Sequence, residues 1–158
     1  MKIRDAVSAD IPRVGELHLA VVAAMADIAP PWYSAGISEP PEPGEVHAEL
    51  AEALASPECC LAVADSGQDL AGYVLCALEE NGDDLLAAPF VTIVYLGVDE
   101  AWRGRGIARA LVRYAEDWAR RQKAGAVDLL VWEGNTAARK LYEELGYGVL
   151  ELRMAKRL

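Results

Sequence analysis

The stretch VDEAWRGRGIARAL, Val98–Leu111, decides how this sequence is read. Three arginines and two glycines fall within the seven residues Arg103–Arg109. Upstream, PFVTIVYLGVD is a long apolar run rich in β-branched residues, the pattern of a buried central strand. Downstream, RGRGIARALVRYAEDWARRQ puts Ile107, Leu111, Tyr114 or Ala115, and Trp118 on one helical face, with Gly125 expected to end the helix. A strand therefore runs through the Arg-Gly segment straight into a helix. A helix start carries unbonded N–H groups and partial positive charge. Glycines let an anion approach the backbone, and arginines add forked donors. Arg103, Arg105 and Arg109 crowd the positive end of that dipole, so the expected occupant is a phosphate or pyrophosphate.

Two familiar phosphate motifs do not fit. The chain contains no GxxxxGK[ST] string. Gly104 and Gly106 match the start of GxGxxG, but Arg109 stands at the third position, and the segment comes late, after several antiparallel-looking strands. A dinucleotide enzyme is the weaker reading.

Working outward, KIRDAV reads as a first strand. Ser8 and Asp10 are capping residues for a helix with Ile11, Val14, Leu17, Val21 and Val22 at helical spacing. A Pro/Gly-rich loop, APPWYSAGISEPPEPGE, leads to a second helix over Val46–Ala55. CCLAVAD and LAGYVLCALEE are strands, and NGDD has the chemistry of a hairpin turn. AVDLLVW is a strand after the Arg-Gly helix. NTAARKLYEEL is a helix opened by Asn135 and closed by Gly146, and YGVLELRMAKRL supplies one or two final strands. The order predicts an α/β chain with a mixed sheet of six to seven strands and about four helices on both faces, as one domain over 1–158.

Charge is distributed unevenly around a formal net charge of −10. Residues 14–102 hold 16 Asp or Glu and no Lys or Arg, whereas residues 103–158 hold 12 Lys or Arg against seven Asp or Glu. One part of the chain can attract cations, the other anions. The acidic balance argues against nucleic acid as the main partner. No apolar run has the length of a membrane span, and charges interrupt the N-terminus where a signal peptide needs an apolar core, so a cytoplasmic protein is expected. Cys59, Cys60 and Cys76 form no CxxC pair and read as small buried hydrophobes. His18 and His47 lack metal-ligand spacing; surface or capping roles are expected of them, and no metal.

The Arg-x-x-Gly-x-Ala pattern of Arg103, Gly106 and Ala108 resembles the coenzyme A pyrophosphate loop of the GNAT superfamily of N-acetyltransferases. YLGVDEAWRGRGIARAL is similar to the family's fourth strand, splayed by a β-bulge, leading into its third helix. NTAARKLYEELGY, Asn135–Tyr147, resembles its second cofactor segment. KIRDAVSADIPRVGELH and LRMAKRL resemble its opening and closing, so the likeness spans nearly the whole chain.

The resemblance implies acetyl-CoA as cosubstrate and direct attack of an amine on the thioester in a ternary complex. It implies that backbone groups of Leu96 and Val98 bind the acetyl carbonyl and pantetheine arm. Arg103, Gly104, Arg105, Gly106, Ile107, Ala108 and Arg109 would hold the pyrophosphate. Asn135 would contact the pantetheine or cap its helix. Tyr142 corresponds to the general acid for the departing thiolate; packing in the stripe of Ala138, Leu141 and Leu145 is its other reading. Histone-type lysine acetyltransferases of the family place a Glu where this chain has Thr92, so Glu79 and Glu80 are substitute base candidates. The acceptor is expected to be a cationic amine, with Trp32 and Tyr33 as an aromatic wall or loop anchors. A catalytically silent acyl-CoA binder is the alternative from another class. The expected state is monomer or homodimer.

Overall fold

The structure, a computed structural model, describes residues 1–28, 41–81 and 86–156. Trp32, Tyr33 and residues 82–84 of the NGDD turn lie outside the described residues. Five strands form one sheet in chain order: β1 (Lys2–Asp5), β2 (Cys59–Asp65), β3 (Leu70–Glu79), β4 (Phe90–Val98) and β5 (Ala126–Leu129). The first four pair antiparallel, and β5 joins β4 in parallel. Helices α1 (Ile11–Ile28) and α2 (Pro43–Ala55) precede β2; α3 (Ile107–Arg121) and α4 (Thr136–Glu144) flank β5. No described helix is long and apolar enough to cross a membrane.

The sheet separates two cores. Val14 and Leu17 of α1 and Val46 and Leu50 of α2 pack on Leu61, Val63, Tyr73 and Leu75. On the other face Ile107, Leu111, Val112, Ala115 and Trp118 of α3, with Tyr142 of α4, cover Ala62, Ala64, Val74, Cys76, Val91 and Ile93. Strands buried on both faces read as continuous apolar runs, which is why CCLAVAD and LAGYVLC show no alternation. Cys60 and Cys76 face each other across β2 and β3, and burial pushes the Cys60 thiol up to about 12. Their expected role as small buried hydrophobes fits this placement.

An ionic cluster fixes the entry to α1. Arg4 bridges Asp10 at 2.7 Å and Asp65 at 2.8 Å, and Asp10 also accepts from the Val7 N–H at 2.8 Å. The Arg4 hydrogen bond is the main cause holding the Asp10 carboxyl below its ordinary range.

Three expectations are corrected. Among the described residues the sheet has five strands, not six to seven, because residues 147–156 form none. Alternation in YGVLELRMAKRL signals a strand only where a partner edge takes it up. Here Val149, Leu150, Leu152 and Met154 stand exposed, Met154 at 91%. Second, α3 stops at Arg121, and Lys123, not Gly125, takes the left-handed turn with φ 60°. The Gly125 N–H instead donates to the Pro89 carbonyl at 2.8 Å, drawing β5 alongside β4. Third, α2 begins at Pro43, with proline in the first turn where its missing N–H costs nothing.

Candidate active site

The Arg-Gly segment leaves β4 through a tight turn. The Asp99 carboxylate accepts from the Ala101 N–H at 2.9 Å and is gripped by Arg13 at 2.7 Å. The chain then passes Gly104 and Gly106, at φ 75° and 76°, a conformation that side chains resist. Ile107, buried, anchors the start of α3 in the core. Gly106 caps that helix without a side chain, so the first-turn N–H groups of Ile107, Ala108 and Arg109 receive no side-chain cap. A Cβ at Gly104 or Gly106 would meet nothing within 4 Å, so the concave backbone is open to a ligand. Arg103 and Arg105 are exposed, and Arg105 lies 5.0 Å from the Trp102 ring centroid. Arg109 is ion-paired to Glu144 of α4, so one of the three arginines is already compensated within the protein.

The second half of the site is a gap in the sheet. β4 and β5 pair over only four positions, from Phe90↔Ala126 to Ile93↔Leu129. Beyond Ile93 the chain of β4 carries one extra residue: Cys76 pairs with Ile93 and Leu75 with Tyr95, leaving Val94 bulged. A bulge reverses side-chain alternation. Val91 and Ile93 face α3, and so do Leu96 and Val98, while Tyr95 turns toward α1. The same ladder sets the direction of the peptide groups. The Asp99 N–H donates to the Ala71 carbonyl at 2.9 Å. Bonded and non-bonded pairs alternate in an antiparallel ladder, so Gly97↔Tyr73 is bonded and Leu96↔Val74 and Val98↔Gly72 are not. The N–H and C=O groups of Leu96 and Val98 therefore point away from β3, into the side that β5 has vacated. Val94 and Leu130, both exposed, stand next to the last paired step of β4 and β5, where the strands part.

The remaining expected residues fall as follows. Asn135 caps α4, accepting from the Ala138 N–H at 3.2 Å. Tyr142 is buried in the α3-side core, edge-on to Tyr147 at 5.7 Å between centroids, and burial raises its phenol to about 12. Glu79 pairs in register with Phe90, at the closed end of β4, and with Glu80 it is exposed and remote from the bulge.

The placement of two residues departs from or goes beyond what the sequence indicated. His18, expected at the surface, is 3% exposed; its Nδ1 lies 2.9 Å from the Tyr73 hydroxyl and its ring meets Tyr95 edge-on at 4.4 Å. Burial lowers its pKa, which keeps the imidazole neutral. Its position three residues before Val21 on the apolar stripe of α1 was the available signal. Thr92 Oγ1 donates to Asp128 Oδ1 at 2.7 Å across the last steps of the β4–β5 ladder. No one-dimensional pattern joins those two residues.

Comparison with known proteins places the chain in a family. The profile of the acetyltransferase (GNAT) family matches residues 22–147, and the chain belongs to that family. N-alpha-acetyltransferase RimI of Mycobacterium tuberculosis is 40% identical over 101 residues, 63% of this chain and 59% of that protein. The match thus spans about three fifths of that relative's length. Among solved structures, a mutant of the BH1408 protein from Bacillus halodurans has a TM-score of 0.81 at 24% identity, over 100% of this chain and 99% of that one. AAC(6')-Iy in complex with the bisubstrate analog CoA-S-monomethyl-acetylneamine has a TM-score of 0.77 at 16% identity, over 99% and 97% of the chains. These two likenesses are of fold.

Proposed function

We propose that this chain is an acetyl-CoA-dependent N-acetyltransferase that passes the acetyl group directly to a primary amine. One observation carries the reading: an uncapped glycine-arginine helix start lies at the end of the same strand whose Leu96 and Val98 peptide groups face an open gap. The backbone of 104–109, with Arg103 and Arg105, suits a diphosphate. The gap that opens between β4 and β5 after Ile93↔Leu129 suits a thin pantetheine arm. An N–H of Leu96 or Val98 aimed at the thioester carbonyl opposes the negative charge that grows there as the amine adds. Tyr142 then supplies the proton to the departing sulfur as the C–S bond breaks, and the proton that the attacking amine sheds passes to solvent water, from which the tyrosinate is reprotonated. A phenol at about 12 is protonated at neutral pH, as a donor must be. It is a weaker acid than a thiol in water at about 8.5, so transfer relies on the thiolate being desolvated and made more basic by the same burial. Arg109 contributes to the diphosphate site only by sharing its charge with Glu144.

The family relationship and the fold shared with a CoA-analog complex support the cosubstrate. Thermal shift with acetyl-CoA, CoA, NAD and ATP tests it. Acetyl-CoA at 100 times its Kd is expected to add about 2.7 kcal/mol of stability; preferential stabilisation by NAD would overturn the reading. Tyr142→Phe is expected to keep acetyl-CoA affinity and lower turnover roughly 100- to 10,000-fold. Binding of acetyl-CoA without release of CoA across an amine panel would instead make the chain a silent acyl-CoA binder.

A further inference from the structure

The geometry points to Asp128 as a specificity-determining residue, the anionic contact for a cationic group of the acceptor; this rests on the N-acetyltransferase reading above. Val127 and Leu129 pack on the α3 side, so alternation along β5 turns Asp128 to the α1 face. Thr92, between Val91 and Ile93, faces the same way and holds the carboxylate at 2.7 Å. One register step later, at Ile93↔Leu129, the two strands part. The carboxylate thus stands at the floor of the gap, on the face opposite the α3 start that suits the diphosphate. That face is the side left for an acceptor.

Asp128 is half-buried and takes part in no ion pair among the described residues. The elements on that face add no competing cation from Val14 onward: nearly all of α1 and the whole of α2, β2, β3 and β4 carry no Lys or Arg. A cationic acceptor meets no like charge from those elements and one carboxylate already oriented by a hydroxyl.

Reach defines the role. Thr92 and Leu96 are four residues apart along β4, roughly 12 Å with one residue bulged. That span is too long for Asp128 to touch an amine reacting at Leu96. It matches an acceptor that presents a second charged group a few bonds from the reacting one. The acceptor class that follows is a diamine or polyamine, or a larger compound with two amino groups so spaced.

The test compares 1,3-diaminopropane, 1,4-diaminobutane and 1,6-diaminohexane with n-butylamine and n-hexylamine, by CoA release. The wild-type protein is expected to favour at least one diamine over the monoamine of matching length by roughly 10- to 100-fold in kcat/KM, the worth of a charged hydrogen bond. Asp128→Asn is expected to erase that preference through the KM of the diamine, with the monoamine rate and the KM for acetyl-CoA unchanged. Thr92→Val is expected to lose part of the preference and Thr92→Ser to retain it. Equal use of diamines and monoamines by the wild type, an unchanged preference in Asp128→Asn, or turnover of none of the five amines by a protein that acetyl-CoA stabilises overturns the assignment. Absence of acetyl-CoA stabilisation removes the underlying reading as well.

Discussion

Gly97→Ala tests whether the splayed half of β4 is held from behind. A Cβ at Gly97 would lie 2.6 Å from Tyr73 Cε1 and 2.8 Å from Val21 Cγ2. Carbon atoms rest at about 3.5–4.0 Å, so the shortfall is close to 1 Å on two sides. Tyr73 cannot give way freely: its ring is fully buried and its hydroxyl is bound to His18 at 2.9 Å. Either the ring moves and strains that hydrogen bond, or β4 shifts toward β5 and narrows the gap. Overpacking of this kind costs about 1–3 kcal/mol. In a 158-residue chain each kcal/mol lowers Tm by roughly 2–4 °C, so a fall of about 4–8 °C is expected near the middle of that range. Scanning calorimetry with and without CoA reads both effects, and the gain in Tm on adding CoA should shrink in the variant. Gly44→Ala in α2 is the control: its Cβ meets nothing within 4 Å and its φ is not in the left-handed region, so no loss of Tm or of CoA stabilisation is expected. A Gly97→Ala protein that melts within 1 °C of wild type with full CoA stabilisation would refute the packing argument, about 1 °C being well under the overpacking cost.

Two further outcomes follow from the same geometry. Burial lowers the His18 pKa, with Glu49 opposing and Tyr73 and Tyr95 packed on the ring, so the folded state binds fewer protons there than the unfolded chain. Its contribution is complete above the unfolded value of about 6.5 and is lost as pH falls below it, with a slope of at most about 1.4 kcal/mol per pH unit. Urea titrations from pH 7 down to 5 should show this loss, and His18→Gln should flatten it; an equal slope in the variant would assign the effect elsewhere. The lowered Asp10, Asp65 and Asp99 carboxyls act below about 3.9 and stay out of this window. Asn135→Ala should cost about 1 kcal/mol by removing the α4 cap, with Asn135→Ser recovering most of it; a large loss of CoA affinity at unchanged Tm would assign Asn135 to the pantetheine instead.

What could be read from the sequence was whatever repeats locally. The apolar stripe Ile107, Leu111, Ala115 and Trp118 placed α3, and the glycines at 104 and 106 marked its start. The Arg-Gly turn was legible because its residues are consecutive. Long-range partners were not. Glu144 lies 35 residues from Arg109, and no periodicity connects them. Asp128 carries information only beside Thr92, 36 residues away and on another strand. His18 reads as one polar residue on an apolar stripe until the ring of Tyr73 is placed under it. The final segment failed for the opposite reason: its alternation was clear, but a strand is a property of two edges, and the pattern describes one.

The bulge at Val94 gives β4 two phases of alternation, joined at a single residue. Deleting that residue would leave every motif and nearly the whole composition intact. It would also leave Tyr95 on the α1 face and Leu96 and Val98 on the α3 face, because Leu75↔Tyr95 is already the ladder step after Cys76↔Ile93. What would go is the bend and added twist that an extra residue puts into one strand of a pair. The parting of β4 from β5 after Ile93↔Leu129 thus rests on backbone length and on no particular side chain. A chain one residue shorter would keep both cores and the Arg-Gly turn, and would let β5 run on along β4 and close the gap.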